Sequence, residues 1–378
     1  MFYTRLLVFL QQKFQIMYEQ ISEQTLYLMF YAVVAAMSMI ACCYLLFRRG
    51  NAFAPDITSP VRLRQWTAAF FAAIALCHLW YLPTYFLSSS SDMAQGYRIA
   101  ALFDSMTVIP LTIVVLLAML QDRKRPLWPA FVMAAPLAVG AAWCIASHSE
   151  DLLPMLFVYF LLMWLGVIIY MVCAIRQYGR WLRDNYADLE HKEIRQGFVV
   201  MAIFFLVYAI YSLDSGELIY EYATEVFNIV LICYLLWRVE TLSDLSIPTL
   251  SDKSIAVDDL SLSIRNKIGS LLKQHCEEPQ LYLQYDISIS QLAKKIGINR
   301  SYLSKHFALQ GITYNAYING LRIQHFINLY HEAVVNHQPV TAQQLAYESG
   351  FRSYSTFSAA FKHVIGMTAT EWMRLSEK

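Results

Sequence analysis

An all-α protein in two parts is the fold class the sequence predicts. Three observations predict it: long apolar runs through the first two-thirds, a sided distribution of Lys and Arg between them, and a near-repeat of one helical unit close to the C-terminal end. Hydrophobic residues make up 57% of the 378, above the roughly 45–50% usual in soluble domains. The formal net charge is +1, so whole-chain charge names no partner and the two parts must be read separately.

A helix needs about 20 largely apolar residues to cross a hydrocarbon layer about 30 Å thick. About seven runs meet that need, at 26–47, 66–87, 99–120, 127–146, 154–175, 197–213 and 218–237, the sixth being the shortest. They predict a polytopic transmembrane helix bundle over 26–238. Positively charged connections stay on the cytoplasmic side, and the bias here is strong. The first, third and fifth connections carry Arg48, Arg49, Arg62 and Arg64, then Arg123, Lys124 and Arg125, then Arg176, Arg180, Arg183, Lys192 and Arg195. The second, fourth and sixth offer only Arg98. The N-terminus is therefore expected outside and everything after Arg238 in the cytoplasm, although Arg5 and Lys13 pull weakly the other way. Residues 1–25 contain no clean apolar core followed by small residues, so they read as an extracytoplasmic segment and not a signal peptide, with Met17 as an alternative start.

Cys42, Cys43, Cys77, Cys144, Cys173 and Cys233 fall in apolar runs, where a thiol behaves as a small hydrophobe. With Cys276 alone in the polar part, no disulfide framework or zinc spacing is formed, and no cofactor is expected. Ionisable groups inside lipid are costly enough to be functional candidates by default. Four stand out: His78 in the second run, Asp104 in the third, and Glu221 with Glu225 in the seventh. Glu221, Glu225 and Asn228 share a helix face. Two readings stay open, a sensing site for an external or lipidic ligand, or interfacial groups that satisfy water and one another. Trp66, Tyr81, Tyr85, Trp128 and Trp237 near the run ends read as an interfacial aromatic belt.

Residues 239–285 read as a solvated linker followed by a helix whose Leu260, Leu262, Ile264, Ile268, Leu271 and Leu272 form an apolar stripe. That helix either packs on the domain that follows or pairs two chains as a homodimer.

From 286 the sequence nearly repeats itself. Leu292, Ala293, Gly297, Leu303, Phe307, Gly311, Ile312 and Thr313 return as Leu345, Ala346, Gly350, Phe357, Phe361, Gly366, Met367 and Thr368, the separation lengthening by a residue at each of two turns. A small Ala lets a second helix cross the first, and a Gly four residues on tolerates the positive φ of a tight turn, so each copy reads as a helix-turn-helix. Asn299 and Ser353 cap the second helices. Leu303 with Phe307, and Phe357 with Phe361, bury one face of each. The outer faces are then Arg300, Ser301, Tyr302, Ser304 and Lys305 in the first unit, and Arg352, Ser353, Tyr354, Ser355, Thr356, Ser358 and Lys362 in the second. Such polar, cationic faces suit phosphate neutralisation and base-edge hydrogen bonding in the major groove of double-stranded DNA. Basic residues in 286–376, Arg322 counted among them, outnumber acids.

The run from Leu345 to Lys362, with Gly366-Met367-Thr368, Trp372 and Arg374, resembles the C-terminal signature of the AraC/XylS family of transcription regulators. Asn299 to Ser304, Gly311 and Tyr317 to Ile323 are similar to the family's first unit and connecting helix. The resemblance covers about a quarter of the chain and implies two recognition helices in successive major grooves, roughly 34 Å apart. Ala369 departs from it, standing where the family usually has proline, which puts the start of the last helix in doubt. Joined to the apolar runs, the resemblance implies a bacterial inner-membrane regulator coupling a membrane or external signal to promoter binding. The alternatives are a constitutive regulator merely anchored there, and an intramembrane enzyme or transporter with a regulatory tail. No nucleophile or metal-ligand motif favours the last of these, so no enzyme is expected.

Overall fold

Proline stands beside two of the breaks in the apolar helices. The computed structural model describes residues 2–48, 52, 58–189, 192, 194, 198–199, 203, 218–245 and 262–376, with the side chains of 2–24, 218–220 and 262–266 excepted. It divides into two compact units, one of residues 1–175 and 194–246, the other of 176–193 and 247–378.

The first unit contains α1 (Phe2–Phe47), α2 (Val61–Tyr81), α3 (Ser90–Met106), α4 (Val108–Met119), α5 (Trp128–Ser147), most of α6 (Leu153–Asn185) and α7 (Leu218–Thr241). Pro83 converts the end of α2 into a 3-10 turn, Leu82–Phe86. The expected third run is broken at Thr107 (φ −125°, ψ −72°), three residues before Pro110, because a proline nitrogen cannot donate to the carbonyl of Met106 one turn back. Among the described residues, six stretches are long and apolar enough to cross a membrane: Thr25–Phe47, Val61–Phe86, Ser90–Met119, Trp128–Ser147, Leu153–Asn185 and Glu221–Thr241. The remaining expected run, 197–213, falls almost wholly outside the described residues. Polar contacts tie α1, α2 and α7 together. Arg64 donates from Nε to the Leu45 carbonyl at 2.8 Å and lies 3.5 Å from Glu240, whose carboxylate is fully buried.

The regular elements of the second unit, among its described residues, are helices: α8 (Leu262–Leu272), α9 (Ile289–Ile296), α10 (Arg300–Leu309), α11 (Tyr314–Val335), α12 (Ala342–Glu348), α13 (Tyr354–Ile365) and α14 (Ala369–Ser376). The sequence repeat becomes two hydrophobic clusters. The first joins Ile268, Leu272 and Cys276 to Leu292, Leu303, Phe307, Tyr314 and Ile318. The second joins Ile323, Phe326 and Tyr330 to Leu345, Phe351, Phe357 and Phe361. The 22-residue α11 thus contributes its first half to one core and its second half to the other. Of the α8 stripe, Ile268 and Leu272 are buried in the first core and Leu271 packs against it, while Leu260 and the side chains of Leu262 and Ile264 lie outside the described residues.

The chain starts α14 without the proline expected from the resemblance at position 369. Thr368 N–H donates to Glu371 Oε2 at 3.1 Å and Glu371 N–H donates to Thr368 Oγ1 at 3.3 Å, a reciprocal capping box, while Ala369 is buried in the second core. Hydrogen bonds from Thr368 hold the Glu371 carboxyl below the usual carboxylate range. A depressed carboxyl adds stability above its unfolded pKa and loses it as pH falls through the folded one. Glu371→Gln is therefore expected to flatten the acid limb of the unit's unfolding curve, read by circular dichroism from pH 6 down to about 3.

Candidate nucleic-acid interface

Each helix-turn-helix is set by a cap and a left-handed glycine. In the first, the Ser288 hydroxyl and the Gln291 side chain form a capping box on α9, Gly297 turns at φ 72°, and Asn299 Oδ1 accepts from Ser301 N–H at 2.9 Å to start α10. In the second, Thr341 caps α12, Gly350 turns at φ 87°, and Ser353 Oγ accepts from Thr356 N–H at 3.3 Å to start α13. With Leu303 and Phe307, or Phe357 and Phe361, facing inward, the opposite faces of α10 and α13 are left at the surface. Ser301, Ser355 and Lys362 are exposed, and Arg300, Tyr302, Ser304, Lys305, Arg352, Ser353, Tyr354, Thr356 and Ser358 are half-buried. None of the twelve is buried. Tyr302 and Tyr354 spend part of their surface on the cores beneath them.

Arg322 does not belong with these cations. It is 1% exposed, donates to the carbonyls of Tyr282 and Gln284 at 2.8 Å and of Tyr285 at 3.2 Å, and lies 5.5 Å over the Phe351 ring. Burial pulls its pKa down to about 10, still a charged guanidinium at neutral pH. Its role is to fix the 281–285 turn, and the cationic count for DNA falls by one.

The segment 176–193 belongs to this same unit and lies on the first helix-turn-helix. Asn185 Oδ1 accepts from Arg300 Nε at 3.1 Å and from its Nη2. Asn315 Nδ2 donates to the carbonyls of Tyr186 and Ala187. Ala187 N–H donates to the Ile287 carbonyl at 3.3 Å, and Tyr186 pairs with Ser288 in an isolated antiparallel bridge. Asp286 then accepts from Lys192 Nζ at 2.8 Å and lies 3.5 Å from Arg352. The leading arginine of each outer face is thus already engaged by protein, and no periodic pattern in the sequence announces it.

The four intramembrane candidates resolve into two groups in the first unit. His78 Nε2 is 3.0 Å from Glu225 Oε2, and its Nδ1 is 2.7 Å from the Ile74 carbonyl. A carbonyl only accepts, so Nδ1 is the donor in that contact and Nε2 is the nitrogen that faces the carboxylate. Asn228 adds a 3.5 Å contact to Glu225, and Glu221 is half-buried one turn away. Asp104 stands apart, its two oxygens accepting from Trp80 Nε1 at 3.1 Å and Tyr81 Oη at 3.0 Å.

A family model described as a helix-turn-helix domain matches residues 292–375. Uncharacterized HTH-type transcriptional regulators of Staphylococcus aureus, among them those of strains MRSA252 and COL, are 28% identical over 102 residues, 27% of this chain and 13% of each relative. The matched part is thus a small fraction of those relatives' length. No solved structure matches the chain. Its C-terminal region is a helix-turn-helix domain homologous to those of HTH-type transcriptional regulators.

Proposed function

We propose that the chain is a membrane-bound, sequence-specific DNA-binding transcription regulator of AraC/XylS type, a one-component sensor that couples a membrane or external signal to promoter binding. The observation that carries the reading is the pair of capped helices, α10 and α13, each packed on one face and polar and cationic on the other. Six stretches able to cross a bilayer support the anchoring, and the charge bias supports an outside N-terminus with the DNA-binding domain in the cytoplasm. His78, Asp104, Glu221 and Glu225 are the sensing candidates. Pairing of two chains on DNA fits the reading. A signal acts here only by binding two states of the protein unequally.

The full chain in lipid nanodiscs should retard fragments from a genomic duplex library, with log K falling linearly against log salt at a slope near −0.9 for each phosphate neutralised. Arg300→Ala and Arg352→Ala should each weaken the selected duplex by about 1–3 kcal/mol. Binding that is absent, or indifferent to salt, removes the proposal.

A further inference from the structure

In the first unit, α3, α5 and the beginning of α6 line an open-sided cavity of about 480 Å3, within the range of small-ligand sites. Its walls are apolar, with Leu137, Ala141, Leu156, Phe157 and Phe160 among them, and its charged groups are Arg98, Glu150 and Asp104. Arg98 donates from Nη1 to Gln95 Oε1 at 3.0 Å and from Nη2 to Glu150 Oε1 at 2.5 Å.

The two partners of that ion pair differ in exposure. The Arg98 side chain is 14% exposed and that of Glu150 65%. An exposed carboxylate is held only weakly and is readily given back to water. The covered guanidinium stays where it is and needs an anionic acceptor. Arg98, counted along the sequence in an outside connection, lies within α3 and inside the apolar stretch Ser90–Met119, where an ionisable group is costly unless it is paired.

We propose that this cavity binds an anionic amphiphile, whose carboxylate or phosphate head replaces Glu150 on Arg98 while its apolar body lies along Leu137, Leu156, Phe157 and Phe160. A guanidinium takes such heads in paired hydrogen bonds, and the walls supply the burial. Asp104 sets the direction of entry. It lies about 9 Å further along α3 by helical rise, both its oxygens are occupied by Trp80 and Tyr81, and its charge repels a head carried to the far end. The proposal rests on the sensor reading and gives its signal a chemistry.

The full chain in phosphatidylcholine nanodiscs is titrated with dodecanoate, dodecanol and dodecylammonium, and the Tm is followed. Dodecanoate is expected to raise the Tm at concentrations where the alcohol and the amine do not. Arg98→Gln should weaken the carboxylate's apparent affinity by about tenfold. Glu150→Gln, which removes the competing anion, should strengthen it about threefold. Nanodiscs of phosphatidylglycerol separate the two sources: a Tm already raised there, with no further gain from dodecanoate, assigns the site to a lipid head, and a gain in both lipids assigns it to a free fatty acid. Equal responses to the three heads, or an affinity unchanged in both variants, overturns the site. Ligand binding that leaves duplex affinity unmoved would sink the sensor reading and leave the site standing.

Discussion

Gly350→Ala is expected to destabilise the second helix-turn-helix severely, whereas Gly297→Ala should cost the first only modestly. The two glycines occupy equivalent places in the repeat and turn at similar angles, φ 72° and 87°, so the penalty of about 1–2 kcal/mol for a side chain in the left-handed region is common to both. The difference is what a Cβ meets. Nothing lies within 4 Å at Gly297, but at Gly350 the added carbon would stand 2.7 Å from Leu283 Cα and 2.9 Å from its carbonyl oxygen. Those are backbone atoms that cannot rotate away. The flanking carbonyls of Tyr282 and Gln284 are both held by the buried Arg322, so the turn cannot move as a whole without exposing an unpaired guanidinium. Overpacking adds about 1–3 kcal/mol to the common term, a total of about 2–5 kcal/mol, a large share of the stability of a small domain. Hydrogen exchange across α12 and α13 of the full chain reads the difference. Equal losses at the two glycines would mean that the Leu283 backbone yields.

That contrast also marks what the sequence could disclose. Repeated Leu, Phe and Gly positions announced two like units because each packs locally, one helix against the next, and Asn299 and Ser353 announced the helix starts because capping is a property of the adjacent backbone. Arg322 was misleading for the opposite reason: a cation read along the chain counts toward DNA, and only the return of the 281–285 turn across α11 buries it. The polar groups of the apolar runs were visible as types but not as partners. His78 and Glu225 meet across 147 residues, while Asp104, nearer to His78 in the chain, takes its hydrogen bonds from Trp80 and Tyr81. Least legible was the assignment of 176–193 to the DNA-binding unit, since its contacts run through backbone groups, the amides of Asn185 and Asn315 and the Lys192–Asp286 pair, which have no periodic signature.

Asn185→Ala is expected to tighten duplex binding by the full chain. Arg300 can serve a phosphate or a base edge fully only when its Nε and Nη2 leave Asn185 Oδ1, and hydrogen bonds to a charged group contribute about 1.5–3 kcal/mol net. Water recovers part of that on release, so a gain of about three- to tenfold is the expected size, read by fluorescence anisotropy on a duplex selected with the unaltered chain. The second recognition helix provides an independent check with opposite signs. Asp286→Ala removes the carboxylate beside Arg352 and should also tighten binding. Lys192→Ala strips that carboxylate of its nearer cation, leaves it to Arg352 alone, and should weaken binding. The first outcome follows if Asn185 of the 176–193 segment competes with DNA for Arg300, and the other two follow if Asp286 competes for Arg352 while Lys192 draws that carboxylate away. Should Asn185→Ala weaken binding instead, the amide aims Arg300 at the groove, and the segment assists recognition where competition would have opposed it.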